Sequence, residues 1–135
     1  MEIVMKINDE LAIAGTVTFN EIKQIAEEGY QSILNLRSSN HFSNDEQQQA
    51  ERLGLCYANV LVDTEGMNPE IATKVLNQIN QLPKPMLVCC NNATLAAAMV
   101  FMHIATNQGQ PLQQAFRRAE ELGLFRNHSQ SAPSS

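Results

Sequence analysis

The segment Pro85-Met-Leu-Val-Cys-Cys-Asn-Asn-Ala-Thr-Leu-Ala-Ala-Ala-Met99 restricts this chain more than any other. Met86-Leu-Val-Cys89 is apolar at every position, which suits a strand covered on both faces. A short polar loop opens on Cys90 and Asn91. From Thr94 to about Asn107 the chain is again apolar nearly all round, the mark of a buried helix. A strand with two covered faces, followed directly by a buried helix, requires a layered fold with its sheet in the middle.

The remaining elements agree. Leu11-Ala-Ile-Ala-Gly15 reads as a short strand ending in a turn glycine. Thr18-Phe-Asn-Glu21 fits a capping box, which predicts a helix carrying Ile22, Ile25 and Ala26 on one face and stopping near Gly29. Ser32-Ile-Leu-Asn-Leu36 is a second strand, and the polar run from Arg37 to Asn44 a loop. Asp45 to Leu53 is expected to be a helix closed by Gly54, and Cys56 to Val62 a third strand. Asp63-Thr-Glu-Gly-Met67 is a loop. Asn68-Pro69 then starts a helix that runs to about Leu82, with asparagine as N-cap and proline at the first helical position. A last amphipathic helix spans Pro111 to Leu122. The expected architecture is α/β, with a central, mostly parallel sheet of four to five strands and helices on both faces. Residues 1–126 form one domain in this reading, and 127–135 a disordered polar tail.

Composition removes several functions. The chain has 135 residues and a net charge of −5, from 9 basic and 14 acidic residues. That balance argues against nucleic acid as a partner, because a phosphate backbone needs a basic face. The apolar run after Asn92 is interrupted by His103 and is too short to span a bilayer, so no membrane partner is expected. Three cysteines, two of them adjacent, do not make a disulfide framework. Met1-Glu-Ile-Val-Met-Lys-Ile7 lacks the layout of a signal peptide, and a reduced, cytoplasmic protein is expected. The histidines and cysteines show no metal-ligand spacing, and no glycine-rich nucleotide loop is present, so neither metal nor cofactor is expected.

Ligands of parallel sheets sit at the C-terminal ends of the strands. Three such ends converge here: Arg37-Ser38, Asp63-Thr64 and Cys89-Cys90. Cys90 is a candidate nucleophile, because a thiol at a helix N-terminus has its thiolate stabilised. Backbone N–H groups of the loop that follows could cradle an anion such as a phosphate ester. Asp63 is a candidate general acid, and Arg37 a candidate anion ligand. The same residues have plainer roles: a core cysteine, a turn aspartate, a surface arginine. His103, in an apolar helix, reads as a core histidine.

Taken together the pattern resembles one family. The segments are Ile7-Asn-Asp-Glu-Leu-Ala-Ile-Ala-Gly15, Ile22-Lys-Gln-Ile-Ala-Glu-Glu-Gly-Tyr30 and Ser32-Ile-Leu-Asn-Leu-Arg37. Ala50-Glu-Arg-Leu-Gly-Leu-Cys-Tyr57, Pro83-Lys-Pro-Met-Leu-Val-Cys-Cys90 and Gln114-Ala-Phe-Arg-Arg-Ala-Glu-Glu-Leu-Gly123 complete the set. In order and spacing they resemble the beta-lactamase-hydrolase-like, phosphatase-like domains of the cysteine-dependent (dual-specificity-like) tyrosine phosphatase superfamily. The resemblance implies a cysteine-phosphatase-like three-layer fold and a signature loop of His-Cys-x-x-Gly type closed by arginine. It implies a phosphocysteine intermediate on Cys90, a phosphate-binding loop of Asn91, Asn92, Ala93, Thr94, Leu95 and Ala96, and Asp63 as general acid. The signature is degenerate in this chain. Cys89 stands where such domains have histidine, Ala93 where they have glycine, and Leu95 or Ala96 where they have arginine.

Loss of a transition-state arginine costs about 10³–10⁵ in rate in other phosphoryl-transfer enzymes. The expected function is therefore a phosphatase-like protein with weak or absent hydrolysis. Two alternatives stand beside it. One is a non-catalytic binding or regulatory module, a pseudophosphatase with a protein partner. The other is thiol chemistry at Cys90, either rhodanese-like sulfur transfer or redox sensing by the Cys89-Cys90 pair with Cys56 as resolving thiol.

Overall fold

The computed structural model describes residues 3–15, 17–37, 44–62, 68–90 and 93–124. Five strands form one sheet: β1 (Ile3–Lys6), β2 (Leu11–Ala14), β3 (Ser32–Arg37), β4 (Cys56–Leu61) and β5 (Met86–Cys90). Their order across the sheet is β1-β2-β5-β3-β4. Five helices connect and follow them: α1 (Ile22–Glu27), α2 (Asn44–Arg52), α3 (Pro69–Gln81), α4 (Ala93–Asn107) and α5 (Leu112–Glu121). The expected α/β class, with a mostly parallel sheet, is what the chain adopts.

β5 lies between β2 and β3 and is parallel to both. All five of its residues are buried. Successive side chains of a strand point to opposite faces, and here each face has its own core. Met86, Val88 and Cys90 belong to a large cluster with Leu34, Leu36 and residues of α3, α4 and α5. Leu87 and Cys89 belong to a smaller one with Ile22, Ile25, Ile33 and Ala50, beneath α1 and α2. The sheet is thus sandwiched between a three-helix and a two-helix layer.

Local signals account for most element ends. The N–H of Thr18 donates to the Glu21 carboxylate at 2.9 Å, one half of the expected capping box. The turn it starts is a 3-10 turn, Phe19–Glu21, which runs into α1. Gly29, with φ of 97°, closes that helix in a conformation few side-chain-bearing residues adopt. Asn68 caps α3 by accepting from the N–H of Ile71 at 2.9 Å, and Pro69 takes the first helical position. At the other end of α3 the Lys84 ammonium donates to the carbonyls of Ile79 and Leu82, satisfying groups that the helix leaves unbonded.

Two sequence expectations need amendment. The strand β1 was not foreseen; it pairs antiparallel with β2, and the turn between them is held by Asn8, whose side chain accepts from the N–H groups of Glu10 and Leu11. The helix α4 is buried along most of its length, but Phe101 is 40% exposed. The proposed tail, 127–135, lies outside the described residues. Among the described residues no helix is long and apolar enough to cross a membrane.

His103 is a core histidine, 8% exposed, with Nε2 within 3.2 Å of the Asn107 amide. Its Nδ1 has no partner among the described residues. Burial, followed by the Lys84 charge, lowers its pKa below the usual histidine range, with Glu10 opposing. The folded state therefore prefers neutral imidazole, so stability from this site is present above the unfolded pKa of about 6.5 and is lost as pH falls below it.

Two measurements check these assignments. Asn68→Ala should lower unfolding stability by about 1 kcal/mol, seen in urea as a shifted midpoint with an unchanged slope. Between about pH 7 and pH 5 the wild type should lose more stability than His103→Gln; equal losses would show that His103 does not drive that slope.

Candidate active site

The strand register brings Arg37 and Cys90 to one end of the sheet. Leu36 is level with Cys90, and Arg37, one residue further, is level with Leu61. The ends of β3, β4 and β5 lie side by side, while Ser38 and Thr64, expected to join them there, lie outside the described residues. Asp63 and the loop residues Asn91 and Asn92 lie outside the described residues. Ala93 opens α4, so only two residues separate a helix of 15 residues from the end of β5.

The two adjacent cysteines occupy different environments. Cys90 is 1% exposed, on the α3–α4–α5 side of the sheet. Leu95 and Ala96, where the resemblance would place arginine, are fully buried in the same cluster. An arginine at either position would have to carry its charge out of an apolar core. Cys89 faces the opposite layer. Its thiol is pushed far up from the ordinary range by burial first, then by Cys90 and Glu46, so it is held as an uncharged thiol.

Arg37 stands on the Cys89 face, two residues from Asn35 along β3. Its Nε donates to Asn59 Oδ1 at 2.9 Å, and Nη2 to Glu46 Oε1 at 2.8 Å in an ion pair. The Tyr57 hydroxyl donates to the same Glu46 oxygen at 3.2 Å and accepts from Asn35 Nδ2 at 3.0 Å. Burial, ahead of every other influence, raises the Tyr57 pKa and keeps it protonated. The result is a half-buried polar chain, Asn35–Tyr57–Glu46–Arg37–Asn59, at the C-terminal edge of β3 and β4. Glu46 opposes the Arg37 charge within this chain, so the helix end at Ala93 supplies the remaining positive potential, roughly half a charge.

Sequence reasoning found Arg37 but missed Asn35, Glu46, Tyr57 and Asn59. A signal was present: Asn35 and Arg37, and likewise Tyr57 and Asn59, are spaced by two within strands whose other residues, Ser32 apart, are apolar. Two polar pairs with strand periodicity on neighbouring strands predict one shared polar face.

The geometry corrects the expectation that Cys56 resolves the Cys89-Cys90 pair. Cys56 is level with Ser32, which is level with Met86, four residues before Cys90 and two strands away. At about 3.3 Å per residue and 4.8 Å per strand the separation is roughly 16 Å, whereas a disulfide requires Cα atoms within about 7 Å. None of the three cysteines is in a disulfide. Among the described residues no group of three or more His, Cys, Asp or Glu is placed to hold a metal ion.

No family model and no curated protein matches this chain. Solved structures do match. A candidate phosphatase from Shewanella putrefaciens superposes with a TM-score of 0.69 at 20% identity, over 91% of this chain and 81% of its own. One from Neisseria meningitidis gives 0.64 at 21%, over 89% and 88%. The core catalytic domain of the PP-IP phosphatase Siw14 of S. cerevisiae, solved with citrate, gives 0.58 at 17%, over 84% and 72%. At these identities the likeness is one of fold: the chain has the α/β architecture of tyrosine-phosphatase-like structures.

Thiol accessibility follows from this arrangement. Brief treatment with iodoacetamide near neutral pH should label the exposed Cys56 first and leave Cys89 unmodified, as read by peptide mass spectrometry. Early label on Cys89 would contradict its placement in the core.

Proposed function

We propose that this chain is a phosphatase-like protein of the cysteine-dependent kind, with a degenerate signature loop, which binds phosphate esters or related anions beside Cys90 and hydrolyses them weakly or not at all. One observation carries the reading. Cys90 ends the central parallel strand directly ahead of a long helix, while the positions that resemblance gives to arginine are buried and apolar. In this reading Cys90 is the nucleophile, and the backbone N–H groups from Asn91 to Ala96 form the anion cradle. Asp63 protonates the leaving group, and Arg37, whose side chain lies on the Cys89 face of the sheet and not the Cys90 face, acts on the anion only from a distance.

Charge decides the strength of the chemistry. A phosphoryl group brings about −1.5 to −2. The helix end offers about half a positive charge, and Arg37 shares its charge with Glu46. The developing charge of the transition state is therefore poorly compensated, and ground-state binding outlasts catalysis. A purely binding role, with an anionic ligand or a phosphorylated protein partner, is favoured by the same buried Leu95 and Ala96. The anion in the Siw14 structure, citrate, supports binding of oxyanions by this fold.

The test pairs hydrolysis of 4-nitrophenyl phosphate with calorimetric binding of inorganic phosphate, for the wild type and Cys90→Ser. Hydrolysis should fall about 10³–10⁵-fold below that of arginine-bearing phosphatases, and phosphate binding should survive Cys90→Ser. Turnover at full phosphatase rates that disappears in Cys90→Ser would overturn the weak-hydrolysis reading. Absence of phosphate binding by the wild type would overturn the site itself.

A further inference from the structure

The sheet has two edges, and they are not alike. One is β1, in a hairpin. The other is β4, Cys-Tyr-Ala-Asn-Val-Leu, which has no neighbour on its outer side among the described residues. Proteins blunt exposed edges with charged side chains, proline or bulges. β4 has no charged residue and no proline, and its register with β3 is continuous from Cys56 to Leu61.

The ladder identifies which main-chain groups point outward. In a parallel pair the N–H and C=O of one residue face the same neighbour, and alternate residues face alternate sides. Cys56 N–H donates to Gln31 C=O at 3.0 Å, and Val62 N–H to Arg37 C=O at 2.6 Å. The even-numbered residues of this run therefore face β3. Tyr57, Asn59 and Leu61 turn their N–H and C=O groups away from the sheet.

These three residues are symmetric about Asn59. We propose that β4 pairs antiparallel with β4 of a second copy of this chain, about a two-fold axis at Asn59, to give one continuous ten-stranded sheet. In that register Tyr57 lies opposite Leu61 of the copy, Asn59 opposite Asn59, and Ala58 opposite Val60. All three outward pairs exchange hydrogen bonds, about six in all. Every cross-strand neighbour then matches in kind: aromatic with aliphatic, amide with amide, small apolar with β-branched. Leu61, 54% exposed in the monomer, gains the Tyr57 ring as a neighbour.

Charge favours a second copy over repulsion between copies. The chain has a net charge of −5, but this edge is uncharged. Beside it runs a groove of about 440 Å³ between β4 and α3, and Lys74 is the one charged residue among those that line it. β4 itself thus brings no charge to a contact between two acidic molecules. A two-fold axis makes the contact self-complementary and closed, so it yields a dimer and not a filament.

The experiment follows the full-length chain by sedimentation equilibrium over about a hundredfold range of concentration, with amide hydrogen exchange read by NMR at the same concentrations. The expected result is a concentration-dependent species of twice the monomer mass, with protection of the Tyr57, Asn59 and Leu61 amides rising as it forms. Leu61→Pro removes one outward donor and leaves the β3 ladder intact. Leu61→Lys places a charge opposite Tyr57 of the copy. Each should weaken association by about tenfold or more, with far-UV circular dichroism unchanged. A monomer at every concentration overturns the proposal. So does a dimer whose formation leaves the three amides unprotected, because another surface would then be responsible.

Discussion

The structure depends on the burial of β5 on both faces. A strand in that position has no polar side, so each residue must suit an apolar core, and Met86, Leu87, Val88, Cys89 and Cys90 all do. The same requirement separates the two thiols. Cys89 belongs with α1 and α2, while Cys90 belongs with α3, α4 and α5. Strand alternation, before any chemistry, gives the neighbouring cysteines unlike surroundings and keeps them from acting as a pair.

The candidate site grows out of that strand's end. Its positive potential comes from the start of α4 and not from a side chain in the loop, while the nearby Arg37 guanidinium is engaged with Glu46 and Asn59. In the proposed reading this arrangement would hold an oxyanion more readily than it would stabilise a transition state, where added charge must be met as it develops. Leu95 and Ala96, the positions to which the resemblance assigns arginine, bear on packing as well as on electrostatics. They are packing residues, and the helix face that carries them is occupied by the core.

Much of this was legible in the sequence, because the signals were local. Asn68-Pro69 marks a helix start whatever lies around it, and an unbroken apolar run such as Met86–Cys89 has few alternatives to a central strand. The strand β1 was not legible. Its residues include Lys6, and only its pairing with β2 gives Ile3–Lys6 a reason to be extended. Glu46 was not legible either. On α2 it looks like an ordinary first-turn acid, and only the packing of that helix against β4 brings it to Tyr57 and Arg37. Local propensity identifies elements, but a polar network assembled from three of them exists only after they meet.

One feature of the strand order bears on how the molecule is made. β2 and β3 do not touch each other through the ladder; each pairs with β5. Before residues 86–90 arrive, the chain holds two separate ribbons, β1–β2 and β3–β4, with their apolar inner edges unpaired. Insertion of the last strand joins them and closes both cores in one step. Pairing across such sequence distances is slow and leaves apolar surface open in the meantime. A growing polypeptide of this kind thus has no closed half: before Met86 is made, β2 and β3 each keep an inner edge unpaired, the kind of exposed surface that chaperones exist to shield.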